Sequence, residues 1–506
     1  MADAERGFST VAVVGTGTMG RGIAQLFAQG GLRTLVFDVD PRQTEAAVTF
    51  VERMVRRRAE KGEIDGAEAD AVIARLTPMD DLDGLAEAEL VVEAVAERLD
   101  VKQELFRRLE GVVADDAVLA TNTSSLLVTA VADGCARPGR VAGYHFFNPV
   151  PLMKLVEVVR GERTEATVVA RLRRLADALG HRAVTTTDSP GFLVNHAGRA
   201  LTTEGLQIVH EGVAEPATVD RLMREAAGFR MGPFELFDLM GLDVSGPVLE
   251  SIYEQFFHDP RYRPTPLPRR RVAARLFGRK VGEGFYRYAD SKIVRPPEPD
   301  PPSVAPAARV WVDRRDDAGH AVADRLVRLG ATLDDGAAPA PDSLVVLAPV
   351  GLDGSAVCAE LGLEPERVVA IDPLFGLEGG RRTLMALPGT DPMWRDRALA
   401  LCAADGAAVS LVADSPGCVV QRIVAAIVNL GCEIAQQRVA SPADIDDAVR
   451  LGLGYPLGPL SLGDRLGGDV VLRILRNIHA LSGDPRYRPS HWLRRRAELG
   501  LSLHTV

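Results

Sequence analysis

The sequence predicts an α/β domain built on a parallel sheet and joined to an all-α domain, with this pair repeated as a second, degenerate half. Three observations carry that prediction. Strand-like Thr10-Val11-Ala12-Val13-Val14 opens an alternation of strand and helix signals that continues to about residue 187, the pattern of a parallel sheet covered by helices. Beyond it the signals are mostly helical: Leu206-Gln207-Ile208-Val209 and Ile423-Val424-Ala425-Ala426-Ile427-Val428 fit buried helices, and Gly-Pro steps punctuate them. The chain also repeats itself, and three landmarks recur in one order. Asp188-Ser189-Pro190-Gly191 returns 226 residues later as Asp414-Ser415-Pro416-Gly417. Gly232-Pro233-Phe234-Glu235-Leu236-Phe237-Asp238 returns at the same spacing as Gly458-Pro459-Leu460-Ser461-Leu462-Gly463-Asp464, and Asp259-Pro260-Arg261-Tyr262-Arg263-Pro264 returns 225 residues later as Asp484-Pro485-Arg486-Tyr487-Arg488-Pro489.

Taken in order, the expected domains are an α/β domain over 1–187, a helical domain over 188–290, a linker over 291–304, a reduced α/β domain over 305–413 and a second helical domain over 414–506. The linker reading rests on RPPEPDPPSVAP, Arg295 to Pro306, which can form neither a ladder nor a helix and is semi-rigid. After it, Arg309-Val310-Trp311-Val312, a helical stretch to Leu329, then Leu344-Val345-Val346-Leu347 and Val368-Val369-Ala370-Ile371 form a weaker α/β pattern.

The length of 506 residues agrees with three or four domains, at ~100–200 residues each. With 46% apolar and 25% charged residues the chain is neither disordered nor fibrous. A formal net charge of −10 disfavours a nucleic-acid partner but leaves room for a local basic pocket that takes a phosphorylated small molecule. Cys135, Cys358, Cys402, Cys418 and Cys432 have no metal-ligand spacing and no disulfide framework, so we expect no metal and a reducing cytoplasm. The N-terminal MADAERGFST has no apolar targeting core, and no run approaches the ~20 apolar residues of a membrane span.

Directly after the first strand comes Gly15-Thr16-Gly17-Thr18-Met19-Gly20, followed by a helical run from Arg21. Between strand and helix these glycines let the backbone approach a pyrophosphate, which makes this a Rossmann site. The second strand, Thr34-Leu35-Val36-Phe37, ends in Asp38, a carboxylate that can accept from a ribose and repels a 2′-phosphate, which favours NAD over NADP. The post-linker unit carries Asp313-Arg314-Arg315-Asp316-Asp317 where its glycine turn should stand, so no second cofactor site is expected.

Hydride transfer needs a group that takes the hydroxyl proton, and a histidine poised near neutrality suits it. His145 ends the strand-like Val141-Ala142-Gly143-Tyr144-His145-Phe146-Phe147, and the chain turns at Asn148-Pro149-Val150-Pro151 into Leu152-Met153-Lys154-Leu155-Val156-Glu157-Val158-Val159. Glu157 is an isolated carboxylate in an apolar strand, costly to bury unless a partner such as His145 relieves it. A core histidine beside an exposed edge glutamate is the alternative.

The segments GTGTMGRGIAQ, TNTSSL, HFFNPVPLMKLVEVV, DSPGFLVNH and GRKVGEGFY resemble the 3-hydroxyacyl-CoA dehydrogenase family, over residues 8–288 and again over 414–506. The resemblance implies reversible oxidation of an L-3-hydroxyacyl-CoA with NAD. It implies His145 as catalytic base with Glu157 as its paired carboxylate, and Ser124 as a hydrogen-bond partner of the substrate's 3-oxygen. Asn148 and Asn195 match amides near that oxygen and the thioester, while Glu97, Lys102 and Asn122 match positions lining the nicotinamide half of the cofactor. Lys61, beside Arg56-Arg57-Arg58, stands where the family contacts CoA phosphates, although an exposed charged helix face explains the same run. Arg269-Arg270-Arg271 returns as Arg494-Arg495-Arg496, which points to a shared structural role instead.

Superposing the repeats turns Asn195 into Gln421 and sets Asp372 opposite His145 and roughly Met385 opposite Glu157, so the second half lacks the pair. Its helical domain is expected to pack on the first as a partner subunit does in single-copy members, giving a homodimer or an internally pseudo-dimeric monomer. The layout is similar to long bacterial members linked to phenylacetate breakdown, which oxidise 3-hydroxyadipyl-CoA. A short-chain 3-hydroxybutyryl-CoA dehydrogenase, a related sugar-acid dehydrogenase and a non-catalytic NAD(H)-binding sensor or scaffold are the competing readings.

Overall fold

The computed structural model describes residues 7–506. The first six residues of the expected 1–187 domain, and with them most of the polar N-terminal segment, lie outside the described residues. Two compact units emerge, and they do not follow the expected boundaries. One holds the described chain up to residue 196 together with 437–453; the other holds 197–436 and 454–506.

The first unit is built on an eight-stranded sheet: β1 (Thr10–Val14), β2 (Arg33–Phe37), β3 (Leu76–Pro78), β4 (Leu90–Glu93), β5 (Val118–Thr121), β6 (Val141–Phe146), β7 (Leu155–Arg160) and β8 (Arg182–Thr187). Their order is β3-β2-β1-β4-β5-β6-β7-β8, parallel except where β6 meets β7. The central strands are mostly apolar because helices cover both faces. Val11 and Val13 enter one core, Ala12 and Val14 the other, as the two-residue period of a strand requires. At the far edge the helix Pro442–Leu453, from the post-linker half of the sequence, lies on β7 and β8. It is held by Arg182, whose guanidinium donates to Asp444 at 2.7 Å and Asp447 at 2.8 Å, and by the Thr187 N–H, which donates to the Val439 carbonyl at 2.9 Å. The sequence reading placed this helix in a separate domain; proximity in the fold, not in the chain, joins it to the first sheet.

The second unit contains the helical layers, a hairpin and a smaller sheet. The hairpin pairs β9 (Arg287–Ala289) with β10 (Lys292–Val294), so the linker starts later than residue 291. Residues 295–306 carry no helix or strand, yet they are strapped down. Arg295 pairs with Glu235 at 2.8 Å, and Glu298 receives Arg221 at 2.9 Å and Arg381 at 2.8 Å. Next come β11 (Arg309–Val312), β12 (Thr332–Leu333), β13 (Leu344–Leu347), β14 (Val368–Ile371), β15 (Arg382–Ala386) and β16 (Val409–Ala413), in the order β12-β11-β13-β14-β15-β16. Only the β14–β15 contact is antiparallel, the same place in the series as β6–β7.

Local geometry recurs between the two stretches. Asp188 caps the amides of Val128 and Thr129, and Asp414 those of Gly354 and Ser355. Phe192 and Cys418 both stand at φ 50°, and Gly212 and Arg438 at 72° and 56°. The Thr187-to-Val439 bond has its counterpart in the Ala413 N–H, which donates to the Val213 carbonyl at 2.9 Å. In the arginine triplets, Arg271 lies over the Phe285 ring and Arg496 over the Trp492 ring of its own helix.

Candidate active site

The antiparallel register of β6 and β7 sets His145 directly opposite Glu157, and Nδ1 of the imidazole lies 2.5 Å from Glu157 Oε2. Glu157 is fully buried, and its other oxygen, Oε1, accepts the backbone N–H groups of Leu193 at 3.0 Å and Val194 at 2.7 Å. A buried carboxylate is tolerable when its oxygens are engaged this way. The ring is flanked by Phe147, with centroids 4.6 Å apart, and by the edge of Phe192 at 5.7 Å. With Nδ1 committed to Glu157, Nε2 is the nitrogen left for chemistry. Asn195 follows the two anchoring amides on the short helix Val194–Ala197. Sequence reasoning identified the histidine and the glutamate but not the Leu193 and Val194 amides or Phe192; their signal was the DSPGFLVNH segment, read only as a resemblance.

At the C-terminal end of β1 the chain enters the helix Thr18–Gln29, whose N-cap is Gly17 with no side-chain cap, so the first-turn amides stay available. Gly15 has φ 88°, and a Cβ there would meet the Ala94 carbonyl at 2.7 Å; a Cβ on Gly20 would lie 1.7 Å from the Gly15 oxygen. At Gly17 nothing lies within 4 Å of a Cβ position. The turn therefore presses strand against helix while leaving an open path to the helix N-terminus, which fits a pyrophosphate. Gly15, Gly17, Asp38 and Val39 line a cavity of about 700 Å³. Asp38 sits at the end of β2, where it accepts the N–H of Thr16 at 2.8 Å and of Asp40 at 3.1 Å. Thr18 is exposed and Met19 half-buried against the sheet.

Glu97, Lys102 and Asn122 form the scaffold of the loop after β5. Lys102 is only 1% exposed and pairs with Glu93 at 2.6 Å and Glu97 at 3.3 Å, so it lies beneath the cleft instead of lining it. Glu97 accepts from the Thr123 hydroxyl at 2.7 Å, the Ser124 N–H at 3.0 Å and the Ser125 hydroxyl at 2.9 Å. Burial opposes its ionisation, but those donors and Lys102 outweigh it and hold the carboxyl below the usual carboxylate range. Asn122 Oδ1 accepts the Phe146 N–H at 2.8 Å, fastening the loop beside His145 and leaving Ser124 exposed.

A second cavity, about 680 Å³, is lined by Arg21, Arg57, Arg58, Lys61 and Lys154, with Glu63 the one acid, and ends at exposed Asn148. Arg21 lies over the Phe50 ring at 4.3 Å, and Arg58 pairs with Glu63 at 3.1 Å. Arg56 turns away to Asp70. Lys61 thus faces a basic cavity, not merely solvent.

The corresponding region of the second unit is arranged otherwise. Asp316 caps the helix Asp317–Arg328 through the Gly319 N–H at 3.1 Å, so a carboxylate occupies the place where an anion would dock. A Cβ on Gly319 would lie 1.8 Å from the Asp313 oxygen, the same tight approach that Gly20 makes to Gly15. The strand register corrects one expectation: Met385 pairs with Ala370, and it is Thr383 whose carbonyl receives the Asp372 N–H, so Thr383 stands where Glu157 does. Gln421 Nε2 donates to Asp372 Oδ1 at 2.9 Å, while Asp372 Oδ2 is buried without a hydrogen-bond partner. Burial pushes this carboxyl up to about 6. Because the unfolded value is about 4, the folded state holds the proton more tightly, and the stability this group contributes is lost as pH rises through 6. We expect the urea midpoint of the native protein to fall between about pH 4 and 7 and that of Asp372→Asn to fall less; equal slopes would remove Asp372 as the cause.

Two family models match the chain: "3-hydroxyacyl-CoA dehydrogenase, NAD binding domain" over residues 10–189, and "3-hydroxyacyl-CoA dehydrogenase, C-terminal domain" over both 191–288 and 417–503. The 3-hydroxyadipyl-CoA dehydrogenase of Escherichia coli (strain K12) is 36% identical over 492 residues, 97% of this chain and 98% of that protein. The 3-hydroxybutyryl-CoA dehydrogenase of Mycobacterium tuberculosis (strain CDC 1551 / Oshkosh) is 39% identical over 280 residues, 55% of this chain and 98% of that protein. Among solved structures, a 3-hydroxybutyryl-CoA dehydrogenase from Escherichia coli K12 superposes with a TM-score of 0.86 at 35% identity, covering 97% of this chain and 98% of that one. With a glycine turn shaped for NAD and a helical C-terminal domain matched twice, the chain belongs to the 3-hydroxyacyl-CoA dehydrogenase family.

Proposed function

We propose that the protein oxidises a (3S)-3-hydroxyacyl-CoA to the 3-oxoacyl-CoA, with 3-hydroxyadipyl-CoA as its substrate. The observation that carries the reaction is the buried Glu157 carboxylate, fixed by two amides and aimed at His145. His145 Nε2 takes the proton of the substrate's 3-hydroxyl, and Glu157 stabilises the imidazolium that forms. NAD bound at the Gly15–Gly20 turn would supply the hydride-accepting chemistry for this oxidation. The Ser124 hydroxyl hydrogen-bonds the 3-oxygen, and a group this small can follow that atom from alcohol to ketone. Asn148 and Asn195 offer amides to the same oxygen and to the thioester. Gly15, Gly17, Thr18, Met19 and Gly20 admit the pyrophosphate, Asp38 takes the adenosine ribose, and Glu97, Lys102 and Asn122 shape the nicotinamide end. Lys61, with Arg21, Arg57, Arg58 and Lys154, holds the CoA phosphates in the basic cavity.

The adipyl reading is supported by the relative of that name, which spans 97% of this chain, whereas the Mycobacterium tuberculosis 3-hydroxybutyryl-CoA dehydrogenase spans 55%. The name of the solved Escherichia coli structure favours the short-chain reading instead. Measuring NADH formation across 3-hydroxyacyl-CoAs of varied length and terminal charge separates them. We expect kcat/KM for 3-hydroxyadipyl-CoA to exceed that for 3-hydroxybutyryl-CoA by about tenfold or more; the reverse order gives the short-chain reading. The post-linker half is, in this proposal, a degenerate internal copy that serves as a built-in partner, so the protein works as a pseudo-dimeric monomer. No helix among the described residues is long and apolar enough to cross a membrane, and with five free cysteines we place the reaction in the cytoplasm.

A further inference from the structure

We propose that Gly452, on the post-linker helix Pro442–Leu453, is a positioning residue for the His145–Glu157 pair; the inference rests on the reading of that pair as the base. The helix lies on β7 and β8 within the first unit. Along β7, Val156 and Val158 enter the core under one face, while Leu155 and Glu157 share the other. A Cβ on Gly452 would lie 2.9 and 3.1 Å from the two Val194 methyls and 3.0 Å from Leu155 Cδ2. Val194 is the residue whose N–H holds Glu157 Oε1 at 2.7 Å, and Leu155 stands two residues before Glu157 on the same face.

Gly452 is helical and has no positive φ, so its backbone does not require glycine. It is the penultimate residue of the helix, a place where alanine is the better helix former. The close approach explains why it stands there: any side chain would displace Val194 and Leu155. The contact path runs from the helix backbone to Val194, from its N–H to Glu157 and from Glu157 Oε2 to His145 Nδ1. Arg182, bound to Asp444 and Asp447, fixes the height of the helix over the strands. A half that carries no catalytic pair of its own thereby sets the geometry of the pair in the other half.

The test is Gly452→Val in the full chain, with Gly452→Ala beside it as the smallest side chain that meets Val194 and Leu155, and a urea midpoint for each variant to separate displacement from unfolding. Displacing a reacting group by a fraction of an ångström lowers kcat by about tenfold for valine and about threefold for alanine, with KM for NAD unchanged. As Glu157 loosens, the imidazolium is less stabilised, so the acid limb of the kcat/KM profile moves to lower pH. Adding Val194→Ala to Gly452→Val makes room for the new side chain and returns both kcat and the limb toward the native values. His145→Gln is measured in the same assay. If it is inactive while Gly452→Val and Gly452→Ala keep the native limb, or if Val194→Ala restores nothing, this inference alone is overturned. If His145→Gln keeps its activity, the base reading fails and takes this inference with it.

Discussion

His145→Gln lowers kcat for 3-hydroxyacyl-CoA oxidation by about 10²–10⁴-fold, the range lost with a general base. Glutamine can still donate to Glu157, so the carboxylate that Leu193 and Val194 hold keeps a partner and the fold is retained. NAD affinity stays near native because the Gly15–Gly20 turn lies at the end of β1, away from the β6–β7 pair. The residual rate also loses the acid limb that a titrating imidazole imposes on the pH profile. Steady-state kinetics with a separate NAD-binding titration check both parts. Unchanged turnover would instead support an NAD(H)-binding sensor in which the histidine is a core residue.

Deleting residues 297–506 has the second large effect. In the first unit it removes Asp444 and Asp447 from Arg182, the Val439 carbonyl from Thr187 and the Gly452 backbone from Val194. In the second unit, the helix Arg199–His210 loses the long apolar helix Val420–Gln436. Glu204, 1% exposed, loses Arg422 and Arg486, both at 3.0 Å, together with the Tyr487 hydroxyl at 2.9 Å. With its cover gone the Glu204 carboxylate faces water, and the loss of stability comes from the apolar surface left bare on the helix Arg199–His210. The truncated protein should dimerise or aggregate, as light scattering will show. A stable, fully active monomer would refute the built-in-partner reading.

What could be read in advance depended on how local each signal was. The β1 strand, the glycines after it and Asp38 lie within one βαβ stretch, and each has a backbone reason to stand where it does. His145 and Glu157 could be matched because a single eight-residue connection, 147–154, joins their strands and a lone acid in an apolar strand needs a partner. The Leu193 and Val194 amides could not, since any residue supplies an N–H and the approach depends on a loop folding back. Lys102 looked like a cleft residue but is buried, because Glu93 and Glu97 flank it on two sides. Thr383 was missed in favour of Met385 because, once the carboxylate is gone, nothing in β15 marks the register. The place of the helix Pro442–Leu453 on the first sheet was equally hidden: its Asp444 and Asp447 read as ordinary surface acids until Arg182 stands opposite them.

That helix also imposes an order on biosynthesis. The last strand of the first sheet ends at Thr187, but the segment that covers its flank begins at Pro442. While the ribosome adds the stretch between them, roughly 10–50 s at ~5–20 residues/s, the strand edge and the underside of Val194 have no cover from their own chain. The nascent protein must therefore keep a finished sheet with one bare apolar flank from pairing with its neighbours on the same message.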